Sequence, residues 1–152
     1  MKDSANVVVL PPLIPLATIG FGLLVHLAFP LTLAPSSITR PLGVLAVLAS
    51  VAIAVLAARE LARARTAFDV RKSTTALVDT GVFRWSRNPV YFSMMLLCFG
   101  IALLVNSLPM FLLSVPAGIL LCLWVIRPEE IYLEQKFGRT YLTYKATVRR
   151  WV

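Results

Sequence analysis

The sequence predicts an all-α integral membrane protein, with about four transmembrane helices in two antiparallel hairpins and an interfacial C-terminal helix on the cytoplasmic side. Three observations carry that prediction. Of the 152 residues, 59% are hydrophobic and 14% charged, with a mean hydropathy of +0.82, a balance outside the range of soluble globular domains. Four stretches, residues 13–33, 42–58, 90–105 and 108–126, are apolar enough to span. Charge is also asymmetric: residues 59–89 hold seven of the 15 basic side chains and residues 127–152 hold six, while the two opposite links carry only Arg40. Cytoplasmic loops are enriched in Lys and Arg, so both basic segments and both termini are assigned to the cytoplasm.

The first span follows a polar tail and the Pro11-Pro12 pair. It is too long for a signal-peptide core, it contains Pro15 and Pro30, and no clear small-residue cleavage signal follows, so it is kept as a helix. The link APSSITRP turns the chain, and Ser37 or Thr39 is suited to cap a second helix that begins near Pro41. At about 1.5 Å per residue, residues 42–58 cover ~26 Å, close to the minimum for crossing a hydrocarbon core of about 30 Å. A basic continuation follows, ending in turn residues around Gly81. Pro89 opens the third helix, VNSLP makes a tight turn to the fourth, and Pro128 marks a kink or the first turn of a new helix. The chain is one membrane domain, with an N-terminal hairpin and basic connector over residues 1–76 and a second half over 77–152.

The net charge of +8 is accounted for by orientation and by anionic lipid headgroups, without a nucleic-acid partner. Cys98 and Cys122 lie within apolar spans, in no CxxC pattern, and read as packing residues. No metal-ligand set is evident, and the oligomeric state is open.

Candidate chemistry gathers at the inner ends of the last two spans. Arg84, Arg87 and Asn88 precede Pro89, whereas Glu129 and Glu130 follow the fourth span. A tight outer turn makes those inner ends neighbours. Adjacent glutamates beside anionic headgroups are unfavourable unless cations or donors answer them. Downstream, Glu130, Glu134, Phe137, Tyr141, Tyr144 and Val148 recur at helical spacing and share a face, provided that Gly138 does not break the helix. The same pattern suits an amphipathic interfacial helix and a salt-bridged collar. It also suits a pocket for a polar, zwitterionic cofactor. His26, alone in the first span, fits either a neutral, hydrogen-bonded structural role or a place on a substrate path. Trp85, Trp124 and Trp151 read as interface or packing aromatics.

The segments LVDTGVFRWSRNPVYF and RPEEIYLEQKFGRTYLTYKATVRRW, separated by a helical hairpin, together resemble the isoprenylcysteine carboxyl methyltransferase and phospholipid methyltransferase superfamily. Its members show Gly-Pro-Tyr, Arg-His-Pro-x-Tyr, a hairpin, Glu-Glu and Phe-Gly-x-x-Tyr-x-x-Tyr. The chain departs from that pattern at Val82 and Phe83 in place of Pro-Tyr, at Asn88 in place of His, and at Ser93 where Gly is common. Asn88 can hydrogen-bond but cannot carry a proton at neutral pH.

The resemblance implies S-adenosylmethionine as cofactor, held by residues 77–152, and a lipid-like or hydrophobic acceptor drawn from among membrane lipids. It assigns Arg84, Arg87, Asn88, Pro89 and Tyr91, with Glu129, Glu130, Tyr141 and Tyr144, to cofactor binding, and Arg87 and Glu130 to the catalytic role. Arg87, Asn88 and the amides opening the third helix suit a carboxylate or hydroxyl, a glutamate suits an ammonium or ribose, and the tyrosines suit the sulfonium. Glu130 is favoured over Glu129 as the pocket residue because it joins the stripe. Direct methyl transfer needs in-line positioning and exclusion of water but no covalent intermediate, so no nucleophile triad is required. Two other readings stay open: an NADPH-dependent reductase similar to membrane sterol reductases, and a non-catalytic sensing or interaction protein on the same scaffold.

Overall fold

The computed structural model describes residues 7–66 and 74–152, and every described regular element is helical. The helices are α1 (Leu13–Ala28), α2 (Ser36–Arg63), α3 (Pro89–Val105), α4 (Leu108–Leu121), α5 (Arg127–Phe137) and α6 (Arg139–Thr147). A single 3-10 turn, Gly81–Arg84, precedes α3, and a widened π turn, Cys122–Ile126, joins α4 to α5. Two helical runs, Ser36–Arg63 and Leu108–Phe137, are long and apolar enough to cross a membrane, and α1 and α3 are shorter apolar helices.

Proline sets several boundaries. α1 stops at Ala28, short of the expected residue 33, because Pro30 cannot continue a helix and disfavours helical backbone at Phe29, which is extended at φ −134°. α2 starts at Ser36, earlier than Pro41. Pro35 occupies its N-cap with no side-chain cap bond, so neither Ser37 nor Thr39 caps it. Thr39 is instead buried, with its hydroxyl unpaired among the described residues. α3 opens with Pro89 in its first turn, where a missing N–H costs nothing. Asn106 turns the chain through left-handed backbone at φ +56°, and Ser107 Oγ caps α4 by accepting from the Met110 N–H at 3.3 Å.

Pro128 neither ends nor sharply restarts the fourth helix. The backbone stays helical at Leu121, Ile126 and Arg127, and the turn before Pro128 is widened, with the Arg127 N–H donating to the Cys122 carbonyl. A proline in a helix removes one donor and crowds the carbonyl four residues earlier, and an extra residue in the turn accommodates both effects. That carbonyl belongs to Trp124, and it accepts from the Val8 N–H at 3.1 Å, which ties the N-terminal segment across the bundle.

The expected pair of antiparallel hairpins holds only for α3 and α4. α1 packs chiefly on α4 and α2 chiefly on α3, rather than α1 on α2. Small residues make the α2–α3 approach close: a Cβ on Gly43 would lie 2.7 Å from the Leu104 nitrogen and 2.9 Å from the Gly100 carbonyl oxygen. The main apolar core joins Ile14 of α1, Tyr91, Met95 and Cys98 of α3, and Ala117, Leu121, Val125 and Ile126 of the fourth run. A second cluster of Ala57, Val78 and Phe83 fixes the connector beneath α2. The C-terminal helix is also two helices, because Gly138 adopts φ +54° and turns the chain between α5 and α6.

Candidate functional site

The start of α3 and the start of α5 meet at one end of the bundle. Around them lies a cavity of about 330 Å³, walled by Leu61, Val78, Phe83, Val90, Met94 and Leu133 and by Leu10 to Pro12 of the N-terminal segment. This volume falls within the ~300–1,000 Å³ typical of small-molecule sites. Its polar lining includes Arg87, Asn88, Tyr91, Glu129, Glu130, Tyr141 and Tyr144, with Pro89 among them, and Thr66 and Thr74.

Eight of the nine side chains singled out in the sequence therefore line one cavity, Arg84 being the exception. Arg84 ends the 3-10 turn and is exposed, because that turn points its buried residue, Phe83, inward. Trp85, beside it, is 76% exposed and also lies outside the lining.

The two glutamates differ in environment, as adjacent positions about 100° apart on a helix must. Glu130 is buried and its oxygens are engaged by cations. Arg87 Nη2 lies 3.3 Å from Oε1, and Arg150 donates through Nε to Oε1 at 3.0 Å and through Nη2 to Oε2 at 2.7 Å. Glu129 accepts one hydrogen bond, from the Tyr91 hydroxyl to Oε2 at 2.6 Å, and among the described residues its Oε1 has no hydrogen-bond donor. The free acceptor in the cavity is thus on Glu129.

Arg87 supplies the free donors. Its side chain is only 8% exposed, yet Nε and Nη1 have no partner among the described residues. Buried guanidinium hydrogens left unpaired are costly, so such a group marks a place where a ligand can answer them. Asn88 is occupied differently: its Nδ2 donates to the Arg150 carbonyl at 3.0 Å, and its backbone N–H donates to Ser86 Oγ at 3.1 Å.

The tyrosines complete the wall. Tyr144 donates to the Phe83 carbonyl at 2.7 Å, which fastens α6 to the 3-10 turn. Burial, reinforced for Tyr141 by the Glu130 charge and for Tyr144 by Tyr141 and Asp79, holds both phenols above their ordinary range. Both remain protonated donors at physiological pH. Glu134, the next residue on the expected stripe, pairs with Lys145 across the Gly138 turn and does not line the cavity.

Sequence reasoning overlooked Arg150. It lies beyond the end of α6, in a segment without helical periodicity, and the Arg149-Arg150 pair reads from sequence as headgroup contact. The signal available was electrostatic: two buried glutamates need more cationic charge than Arg87 alone. Hydrogen bonding to Glu130 holds the Arg150 guanidinium above even its usual high range.

The phospholipid methyltransferase family model matches residues 38–140. The chain belongs to the phospholipid methyltransferase family. Membership agrees with the superfamily resemblance of the two motifs and indicates methyl transfer to a lipid-like acceptor in a membrane setting. No curated protein and no solved structure matches the chain. The matched span takes in the cavity residues from Arg87 to Glu130, whereas α1, Tyr141, Tyr144 and the Arg149–Trp151 segment fall outside it.

Elsewhere, His26 on α1 is half-buried, and its Nδ1 has no partner among the described residues, so the hydrogen bond expected for a structural role is not formed there. Cys98 and Cys122 are free thiols. Trp151 packs against the main core.

Proposed function

We propose that this protein is an S-adenosylmethionine-dependent methyltransferase acting on an amphiphilic acceptor, with carboxylate, thiol and amine acceptors as the candidate classes. The carrying observation is Arg87, whose Nε and Nη1 are buried and, among the described residues, unpaired, in a cavity where Glu129 Oε1 likewise has no donor among those residues. A zwitterionic amino-acid moiety needs both a cationic donor and an anionic acceptor, and the residues present fit that demand. Arg87 is suited to the carboxylate, Glu129 to the ammonium or a ribose hydroxyl, and the rings of Tyr91, Tyr141 and Tyr144 to a sulfonium, each face worth about 0.5–2 kcal/mol. When bound there, S-adenosylmethionine supplies an electrophilic methyl group.

The chain's own contribution is position and dryness. Apolar walls from Leu61, Val78, Phe83, Val90 and Met94 exclude water, and orienting the two partners in line can contribute about 7–11 kcal/mol to lowering the barrier. No side chain needs to form a covalent bond with the transferred group. Asn88 stands where the family pattern has His and anchors Arg150's backbone, so its role here is positional rather than proton transfer.

The reading extends to topology. α1 and α3, with 16 and 17 residues, reach ~24–26 Å and cross with their non-helical flanks, so four spans place the cavity at the cytoplasmic face with both termini. The acceptor enters sideways from the bilayer and the cofactor from the cytoplasm.

Calorimetric titration of the purified protein with S-adenosylmethionine and with S-adenosylhomocysteine tests the cofactor. Saturable binding of both is expected, and folded protein that binds neither defeats the proposal. Incubation of membrane lipid extracts with the deuteriomethyl cofactor, followed by mass spectrometry, then identifies the acceptor by its added labelled methyl.

A further inference from the structure

Arg150 is built into the site without touching the cavity. It is absent from the lining, yet its guanidinium grips both oxygens of Glu130 in a bidentate pair. The backbone around it is anchored at three points: the Arg87 N–H donates to the Arg149 carbonyl at 2.9 Å, and Asn88 Nδ2 and Ser86 Oγ donate to the Arg150 carbonyl at 3.0 and 3.3 Å. Trp151, next along, packs into the main core. The strap at residues 149–151 is therefore clamped to the 86–88 loop, the loop that carries Arg87.

Glu130 is the shared element. Its Oε1 accepts from Arg150 Nε and lies 3.3 Å from Arg87 Nη2 in an ion pair, while Oε2 accepts from Arg150 Nη2. A planar fork fixes the carboxylate plane in a way that a single point charge cannot. The fixed carboxylate in turn pairs with one nitrogen of Arg87 and leaves Nε and Nη1 without partners among the described residues.

We propose that Arg150 is a positioning residue: acting through Glu130, it sets the Arg87 guanidinium so that Nε and Nη1 stay available to a ligand carboxylate. The identity of that ligand rests on the methyltransferase reading; the clamp itself is drawn from the side-chain geometry. The inference assigns Glu130 to support and leaves Glu129 as the glutamate that meets the ligand.

The test compares two ligands on the purified full chain: S-adenosylhomocysteine and its analogue lacking the carboxylate. A charge-assisted hydrogen bond predicts that the parent prefers the carboxylate form by about tenfold or more. In Arg150→Gln that preference falls below about threefold, while affinity for the analogue stays within about twofold of the parent, because only the Arg87 contact is disturbed. Glu130→Gln, which keeps the shape of the side chain, is expected to lose the preference in the same way. If Arg150→Gln does not fold, Arg150→Lys, which cannot form the planar pair, serves instead and shows a reduced preference.

A full carboxylate preference in the folded Arg150 variants overturns the inference. So does an equal loss of affinity for both ligands, which is the mark of a merely structural residue. A parent that binds both ligands equally well also overturns it, while leaving the cofactor reading standing. A folded parent that binds neither overturns both.

Discussion

At the residue scale, the site turns on which polar groups are spent and which are free. Glu130 is saturated by Arg87 and Arg150, Glu129 keeps an oxygen, and Arg87 keeps two nitrogens. Motif positions made Arg87, Asn88, Tyr91, both glutamates and both C-terminal tyrosines legible in the sequence, because the tight α3–α4 turn forces those ends together. The division of labour between the glutamates was not legible, since it depends on Arg150, 20 residues away. Glu129→Gln tests that division. The amide keeps the volume and a hydrogen bond with Tyr91 but loses the charge offered to the ligand, so S-adenosylhomocysteine should bind about tenfold more weakly, or ~1.4 kcal/mol. Lys145→Gln, which disturbs only the half-exposed Glu134 pair outside the cavity, should shift affinity by less than about twofold. Comparable losses in the two variants would remove Glu129 from the ligand's contacts. Asn88→Ala makes a different prediction. It frees the Arg150 carbonyl from one donor, so the thermal midpoint should drop by the equivalent of about 1 kcal/mol, read as loss of helical circular dichroism on heating.

At the element scale, proline and hydropathy marked most helix ends, but neighbour relations were hidden. Short links favour packing of consecutive helices, which suggested α1 against α2. The structure pairs α2 with α3 and α1 with α4 instead, and the reason lies in small residues whose partners are distant in sequence. Gly43 sits against the α3 backbone, and Gly22 meets Met110 of α4, where a Cβ would lie 2.9 Å from Met110 Cγ. Periodicity alone shows neither pairing. Gly43→Ala would place a methyl 2.7 Å from the Leu104 nitrogen, a contact with backbone that no rotamer can relieve. The helices must then separate, at a cost of about 1–3 kcal/mol as in other overpacked interiors. Gly43→Ala should therefore unfold at a lower temperature in detergent than the parent, whereas Gly20→Ala, at a position open on all sides, should match or exceed the parent, since alanine favours helix. An unchanged midpoint for Gly43→Ala would mean that α2 and α3 do not approach as described. The widened turn before Pro128 was equally out of reach of sequence: proline announces a disturbance, but the extra residue that absorbs it depends on what else must stay in contact.

At the scale of the whole molecule, the bundle has two unlike ends. At one, Leu31, Leu33, Ala34 and Asn106 close the links with backbone and amide hydrogen bonds, and the one charge nearby is Arg40 among the described residues. At the other, Arg87 lines the cavity with its two glutamates and Arg150 holds Glu130, while Arg63 ends α2, Arg84 ends the 3-10 turn and Arg127 opens α5. Loops rich in arginine resist translocation, and moving such a cluster across an apolar core is far more costly than moving the nearly uncharged end. The proposed topology accordingly puts the cavity on the cytoplasmic side. Single cysteines report it: Ser36→Cys at the exposed start of α2 and Thr140→Cys on the exposed face of α6, each in a background carrying Cys98→Ser and Cys122→Ser. In sealed right-side-out vesicles, a membrane-impermeant maleimide should label the Ser36→Cys protein at once and the Thr140→Cys protein only after permeabilisation. The reverse pattern would put the cavity outside, where a cytoplasmic cofactor could not reach it. Labelling of both without permeabilisation would place the two ends of the bundle on one side of the membrane, contrary to four spans.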